Sequence, residues 1–184
     1  MTPISTRSQF SIISIALLLV FAGCSPKTNN SPSANSSAPG STGEKGAPVT
    51  SLKFVKTSVS ETQITAGSSG EAIVRVAVQS GYHVNANPPT YPYLRATELV
   101  IPAGNIVSVS FITYPTATLK KFEFAEKPLA VYEGEVPIKV VLKTIGSAAK
   151  GSHSIPAKLN IQACDDQVCY APGSLDLSIP VLIK

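Results

Sequence analysis

Cys164 and Cys169 are the side chains whose type and spacing support covalent chemistry in this sequence. They stand in the stretch Ala163-Cys164-Asp165-Asp166-Gln167-Val168-Cys169-Tyr170-Ala171-Pro172. If Asp165 to Val168 form a four-residue hairpin loop, the two cysteines face each other across an antiparallel ladder. Opposed residues there have Cα atoms about 4.5–5.5 Å apart, within the roughly 4.4–6.8 Å that a disulfide spans. Such a pair either staples a loop or exchanges with an outside thiol. Loop entropy argues mildly against a staple: a ring this short gains only about 2 kcal/mol, against nearly 5 kcal/mol for one of about 100 residues. A domain of this size also builds a core without a staple. Most disulfides in exported domains are structural all the same, so composition and spacing leave the two chemistries evenly matched. Asp165 and Asp166 place negative charge beside the pair, which disfavours thiolate and is expected to raise the thiol pKa.

Other constellations carry less. His83 and His153 lie far apart, the cysteine spacing is not C-x₂-C, and a single Met supplies no copper-thioether set. No metal is expected, and His83 reads as a strand residue that packs or hydrogen-bonds. There is no glycine-rich phosphate loop and no nucleophile elbow, and no cofactor is expected. Asn87-Pro88-Pro89 and Tyr91-Pro92-Tyr93 read as a rigid connection between strands rather than a partner-binding loop. Net charge is +4, but the lysines are scattered and Lys120-Lys121 is the only adjacent basic pair. That pattern excludes a nucleic-acid stripe and fits a solvated surface.

The elements that must position the cysteines have a period of two. Ala72, Val74, Val76 and Val78 alternate with Ile73, Arg75, Ala77 and Gln79. Similar alternation runs through Val107-Val109-Phe111, Val136-Ile138-Val140-Leu142, Ile155-Ala157-Leu159-Ile161 and Leu175-Leu177-Ile179-Val181. Clusters such as Gly67-Ser68-Ser69-Gly70 and Gly146-Ser147 separate the runs. No window shows a capped helical period. Apolar residues make up 43% of the chain and charged residues only 14%, in keeping with a β-rich exported domain. Seven to nine short strands over residues 51–184 predict an all-β, immunoglobulin-like β-sandwich, with the cysteine pair between the last two strands.

Ahead of that domain, Arg7 precedes an apolar run of 13 residues, Phe10 to Ala22. It is shorter than the roughly 20 residues that span a bilayer and ends in small residues, the pattern of a signal peptide over 1–23. Val20-Phe21-Ala22-Gly23-Cys24 resembles the bacterial lipobox, with Phe21 where Leu is usual. The resemblance implies lipidation of Cys24, which also accounts for the odd cysteine. The expected location is extracytoplasmic, on the periplasmic side, with the membrane reached through the lipid alone; Ser25 points to an outer membrane where one exists. Residues 24–50 are mostly Ser, Thr, Asn, Pro, Gly and Ala. They cannot bury apolar area and are expected to form a disordered tether with a span of about 30 Å.

Cys164-Asp-Asp-Gln-Val-Cys169-Tyr-Ala-Pro172 resembles the active-site loop of the N-terminal periplasmic domain of the thiol:disulfide interchange protein DsbD family. Gly81-Tyr82-His83-Val84-Asn85-Ala86-Asn87-Pro88-Pro89 is similar to an early strand motif of the same family. The resemblance covers roughly Leu52 to Lys184. It implies an immunoglobulin-like fold whose redox-active disulfide passes electrons to thioredoxin-like periplasmic proteins. It also implies that Cys169 forms the mixed disulfide and Cys164 resolves it. A cap loop with an aromatic residue shields the disulfide in that family; here Lys121-Phe122-Glu123-Phe124 lies where the loop is expected, with Phe124 the first choice of shield and Phe122 the second. Full-length members continue into a multi-helix membrane domain and a thioredoxin domain. Here no spanning run follows residue 22, so a stand-alone lipoprotein is expected, with electrons supplied by a separate protein. The competing expectation is a binding or structural sandwich domain with an inert bridge.

Overall fold

The computed structural model describes residues 49–184. The expected signal peptide, Cys24 and all but the last residues of the expected tether lie outside the described residues. The five alternating runs form the long strands. They become β3 (Ser69–Val78), β6 (Val107–Thr113), β9 (Glu135–Thr144), β10 (Gly151–Ile161) and β12 (Gly173–Ile183). Shorter pieces complete the set: β1 (Val55–Val59), β2 (Thr62–Ile64), β4 (His83–Asn85), β5 (Glu98–Val100), β7 (Thr118–Lys120), β8 (Leu129–Tyr132) and β11 (Ala163–Cys164). A single 3₁₀ turn, Ser51–Phe54, precedes β1. Among the described residues there are thus more strands than the seven to nine expected. The surplus is in pieces of two to four residues, too short to show a period.

Two four-stranded sheets, ordered β1-β3-β9-β6 and β2-β12-β10-β5, share one core. Val74, Val76, Ile138, Val140 and Leu142 of the first sheet are fully buried with Leu159, Ile179 and Val181 of the second. Burying one face of each sheet is what alternation achieves, and it is the main stabilising term of a sandwich. The all-β sandwich expected from the sequence is therefore what forms.

One run departs from its expected facing. In β6, Val109 pairs with Leu142 and Phe111 with Val141, leaving Ser110 as an extra residue. A bulge of this kind reverses the face presented by everything after it. Phe111, expected inward, is 57% exposed, and Ile112 packs against the core instead.

β10 and β12 pair along their whole length, from Gly151↔Ile183 to Ile161↔Gly173. The segment between them leaves their sheet. Its first residues form β11, which joins a third sheet ordered β11-β4-β8-β7. A separate small core of Phe122, Leu129 and Val131, with Tyr91, Leu94 and Ala125 against it, supports that sheet.

Candidate active site

The hairpin between β11 and β12 is closed by hydrogen bonds and by sulfur. Cys164 and Cys169 form an antiparallel bridge, with Asp165 N donating to Val168 O and Tyr170 N to Ala163 O, both at 2.9 Å. The sulfurs are bonded at 2.03 Å and the Cα atoms are 4.0 Å apart, closer than the ladder spacing expected from the sequence. The two cysteines differ in access: Cys164 is 1% exposed, whereas Cys169 is exposed, beside the exposed Val168.

Asp165 shapes the loop. Its Oδ1 accepts from Gln167 N and Val168 N at 2.8 Å each, and its Oδ2 accepts from the Tyr170 hydroxyl at 2.7 Å. An aspartate that bonds the backbone two and three residues on is a standard device for a tight turn. The Val168 N–H, followed by the Tyr170 hydroxyl and the Gln167 N–H, holds this carboxyl below the usual range. The Tyr170 phenol is pushed up to about 12, chiefly by the same hydrogen bond. The Tyr170 ring rests against Phe54, centroids 4.6 Å apart, and Phe54 stacks on Tyr82 at 3.9 Å.

Asp166 lies 3.6 Å from Lys120 Nζ, which also meets Glu133 at 2.8 Å. The negative field expected to oppose thiolate formation is thus met by three donors at Asp165 and by an ammonium at Asp166. All three members of the Lys120 network are solvent-accessible, so it orients the loop more than it stabilises the fold.

On the other side of β11 lies β4, with His83 opposite Cys164 and Val84 opposite Ala163. The turn ahead of β4 needs Gly81, whose φ of 84° falls in the left-handed region, and Tyr82 N donates back to Gln79 O at 3.0 Å. His83 is a buried strand residue that packs, as its position in the sequence led us to expect. Its ring stacks on Phe122 at 4.4 Å, and Phe122 stacks on Phe124 at 5.3 Å. Phe122 is 3% exposed and Phe124 50%. The second choice of shield therefore stands nearer β11, stacked on His83, with the first choice one ring further out. Lys121 secures this turn by donating to the carbonyls of Ala125 and Glu126. Lys120 Nζ sits 5.4 Å from the Phe122 ring centre. Phe124 also borders a cleft of about 490 Å³ lined by Tyr91, Tyr93, Leu94 and Leu129.

Ser51 was not singled out from the sequence. Its hydroxyl donates to Ala171 O and accepts from Ala163 N, both at 2.8 Å, so it ties the two feet of the loop together. It is wholly buried. A serine 112 residues before Ala163 has no local signal to mark it.

The model of the family described as thiol:disulfide interchange protein DsbD, N-terminal, matches residues 54–178. The chain belongs to this family. DsbD N-terminal domains in general relay electrons by thiol–disulfide exchange with thioredoxin-like partners, on the immunoglobulin-like fold expected here. Among solved structures, the reduced N-terminal domain of Neisseria meningitidis DsbD is similar at 18% identity and TM-score 0.42, over 68% of this chain and 83% of that one. The N-terminal periplasmic domain of ScsB from Proteus mirabilis is similar at 15% identity and TM-score 0.48, over 69% of this chain and 45% of that one. No curated protein matches the chain.

Proposed function

We propose that this chain is an extracytoplasmic thiol–disulfide exchange domain that works through Cys164 and Cys169. A partner thiolate attacks the Sγ of Cys169, the Cys164 sulfur leaves, and a mixed disulfide forms at Cys169. The second thiol of that partner attacks the partner sulfur of the mixed disulfide and frees Cys169, so the partner is oxidised and the domain gains two electrons. To pass them on, Cys169 attacks an acceptor's disulfide and one acceptor sulfur leaves. Cys164 resolves the new mixed disulfide by attacking Cys169, which releases the reduced acceptor. The observation that carries this reading is the unequal access of the pair, with Cys169 exposed and Cys164 at 1%. An incoming sulfur must approach along the S–S axis, and only the open side admits it.

In this proposal Phe122 and Phe124 shield the bond from small thiols until a thioredoxin-like partner docks. Cys24 carries the lipid, residues 1–23 are the signal peptide, 24–50 are the tether and 51–184 are the working domain. No bound cofactor is required, since the sulfurs carry the electrons.

The test is a Cys164→Ser variant, which leaves Cys169 free, recovered from cells under acid quench. Disulfide-linked complexes with thioredoxin-like proteins are expected. Their absence, under conditions that trap a known exchange protein, overturns the reading in favour of an inert bridge on a tethered scaffold.

A further inference from the structure

Among the described residues, two buried side-chain polar atoms have no hydrogen-bond partner, His83 Nε2 and Asn85 Oδ1. Burying a polar atom unpaired is costly, and each such atom in a folded protein calls for an explanation. For His83 the explanation lies across the sheet. The residue is 1% exposed and stands directly opposite Cys164, which in turn stands opposite Cys169. Directly opposed residues of antiparallel strands place their side chains on one face, with Cβ atoms about 4.5–5.5 Å apart. Stacking on Phe122 fixes the plane of the imidazole. In the disulfide, the Sγ of Cys164 bears no hydrogen and so has none to donate to the imidazole. Reduction gives that sulfur an S–H, which is the donor that the orphaned nitrogen lacks.

We infer that His83 is the proton acceptor for Cys164, taking the thiol hydrogen on its ring nitrogen as Cys164 resolves the mixed disulfide. The inference rests on the exchange reading above and adds a catalytic residue to it. The step balances as follows. Cys164 Sγ attacks Cys169 Sγ, and its proton passes to neutral His83. The Cys164–Cys169 bond forms as the bond from Cys169 to the partner breaks. The partner sulfur departs as thiolate with the electron pair, so the partner is reduced and the cysteine pair oxidised. The imidazolium then returns its proton to solvent or to the departing thiolate.

The surroundings keep the imidazole neutral and ready. The charged groups that act on it are Lys120 on β7, Glu133 after β8, and Asp165 and Asp166 on the hairpin. Burial, seconded by Lys120, holds its pKa below the usual value against the pull of the three carboxylates. A buried thiol with an ordinary pKa near 8.5 is otherwise mostly protonated at pH 7, so a base beside it changes the rate.

The experiment uses the full chain and a His83→Phe variant, which keeps a ring on Phe122. Each is reduced, oxidised glutathione is added, and the release of glutathione from the mixed disulfide at Cys169 is followed by acid quench and mass spectrometry between pH 6 and 8. In the unaltered protein the release rate is expected to be nearly level above pH 6.5. In the variant it is expected to fall about a hundredfold at pH 7 and to rise about tenfold per pH unit as hydroxide replaces the base. Identical pH profiles overturn the inference. If the variant fails to fold, ring ¹⁵N spectra of the unaltered protein decide. The chain has only two histidines, His83 and His153, so the signals can be told apart. A His83 nitrogen that shifts to the hydrogen-bonded range on reduction supports the inference, and one that does not move overturns it. Failure of the unaltered disulfide to exchange at all overturns the exchange reading itself, a different result from exchange that ignores His83.

Discussion

The Tyr170 hydroxyl donates to Asp165 Oδ2 at 2.7 Å, so the residue after the second cysteine is bound to the residue after the first. The bond spans the hairpin in parallel with the disulfide. It involves neither sulfur, so it is expected to outlast reduction of the disulfide.

That bond sets a titration. Tyr170 is expected to ionise near pH 12, well above its usual value, because the phenol donates to a carboxylate. A group raised in the folded state adds stability below its unfolded pKa of about 10, and this is lost as pH rises towards the folded value. Absorbance at 295 nm is expected to show late-titrating tyrosines, of which a Tyr170→Phe substitution removes one and leaves Tyr114, raised chiefly by burial. The Asp165 carboxyl behaves in the opposite sense. Its lowered pKa gives stability above the unfolded value, lost as pH falls through the folded one.

Ser51→Ala is expected to destabilise the domain by about 1–3 kcal/mol, because it leaves the buried Ala163 N–H without an acceptor. Urea unfolding measures the loss. The loop also loses its tie at Ala171, so dithiothreitol should reduce the disulfide faster in this variant than in the parent.

Phe122 and Phe124 are expected to separate in two assays. Phe122→Ala empties a buried site and should cost about 3–5 kcal/mol, whereas Phe124→Ala, half exposed, should cost about 0.5 kcal/mol or little more. On the shielding proposal both variants speed reduction by a small thiol, and Phe122→Ala does so more, because its ring is the one stacked on His83. A larger acceleration in Phe124→Ala would assign the shield to the outer ring.

Exchange requires a bond that physiological dithiols can open. The reduction potential, measured against glutathione or dithiothreitol, is expected to lie above about −300 mV, the region below which structural bridges fall. In the reduced protein, iodoacetamide is expected to label Cys169 before Cys164, since Cys169 is exposed and Cys164 is buried. Peptide mapping after timed quenching reads the order. A potential well below that limit would mark a staple.

Much of this was legible in the sequence because it is local. Alternation of apolar and polar residues dictates which face a strand buries, so β3, β9, β10 and β12 could be placed from composition and period alone. The cysteine hairpin was legible for the same reason: five positions separate its ends, and the turn residues lie between them. What only the tertiary structure decided depends on register between distant segments. Ser110 is the extra residue of a bulge because its neighbours Val109 and Phe111 pair with the successive residues Leu142 and Val141 of β9, and that reversed Phe111 and Ile112. Strands of two or three residues, β4, β7 and β11, carry no period at all, yet β4 brings His83 opposite Cys164, and Lys120 at the end of β7 reaches Asp166. Ser51 joins the loop across 120 residues of sequence. Such contacts arise when the packed sheets bring remote backbone into hydrogen-bonding distance, and no neighbouring residue type announces them.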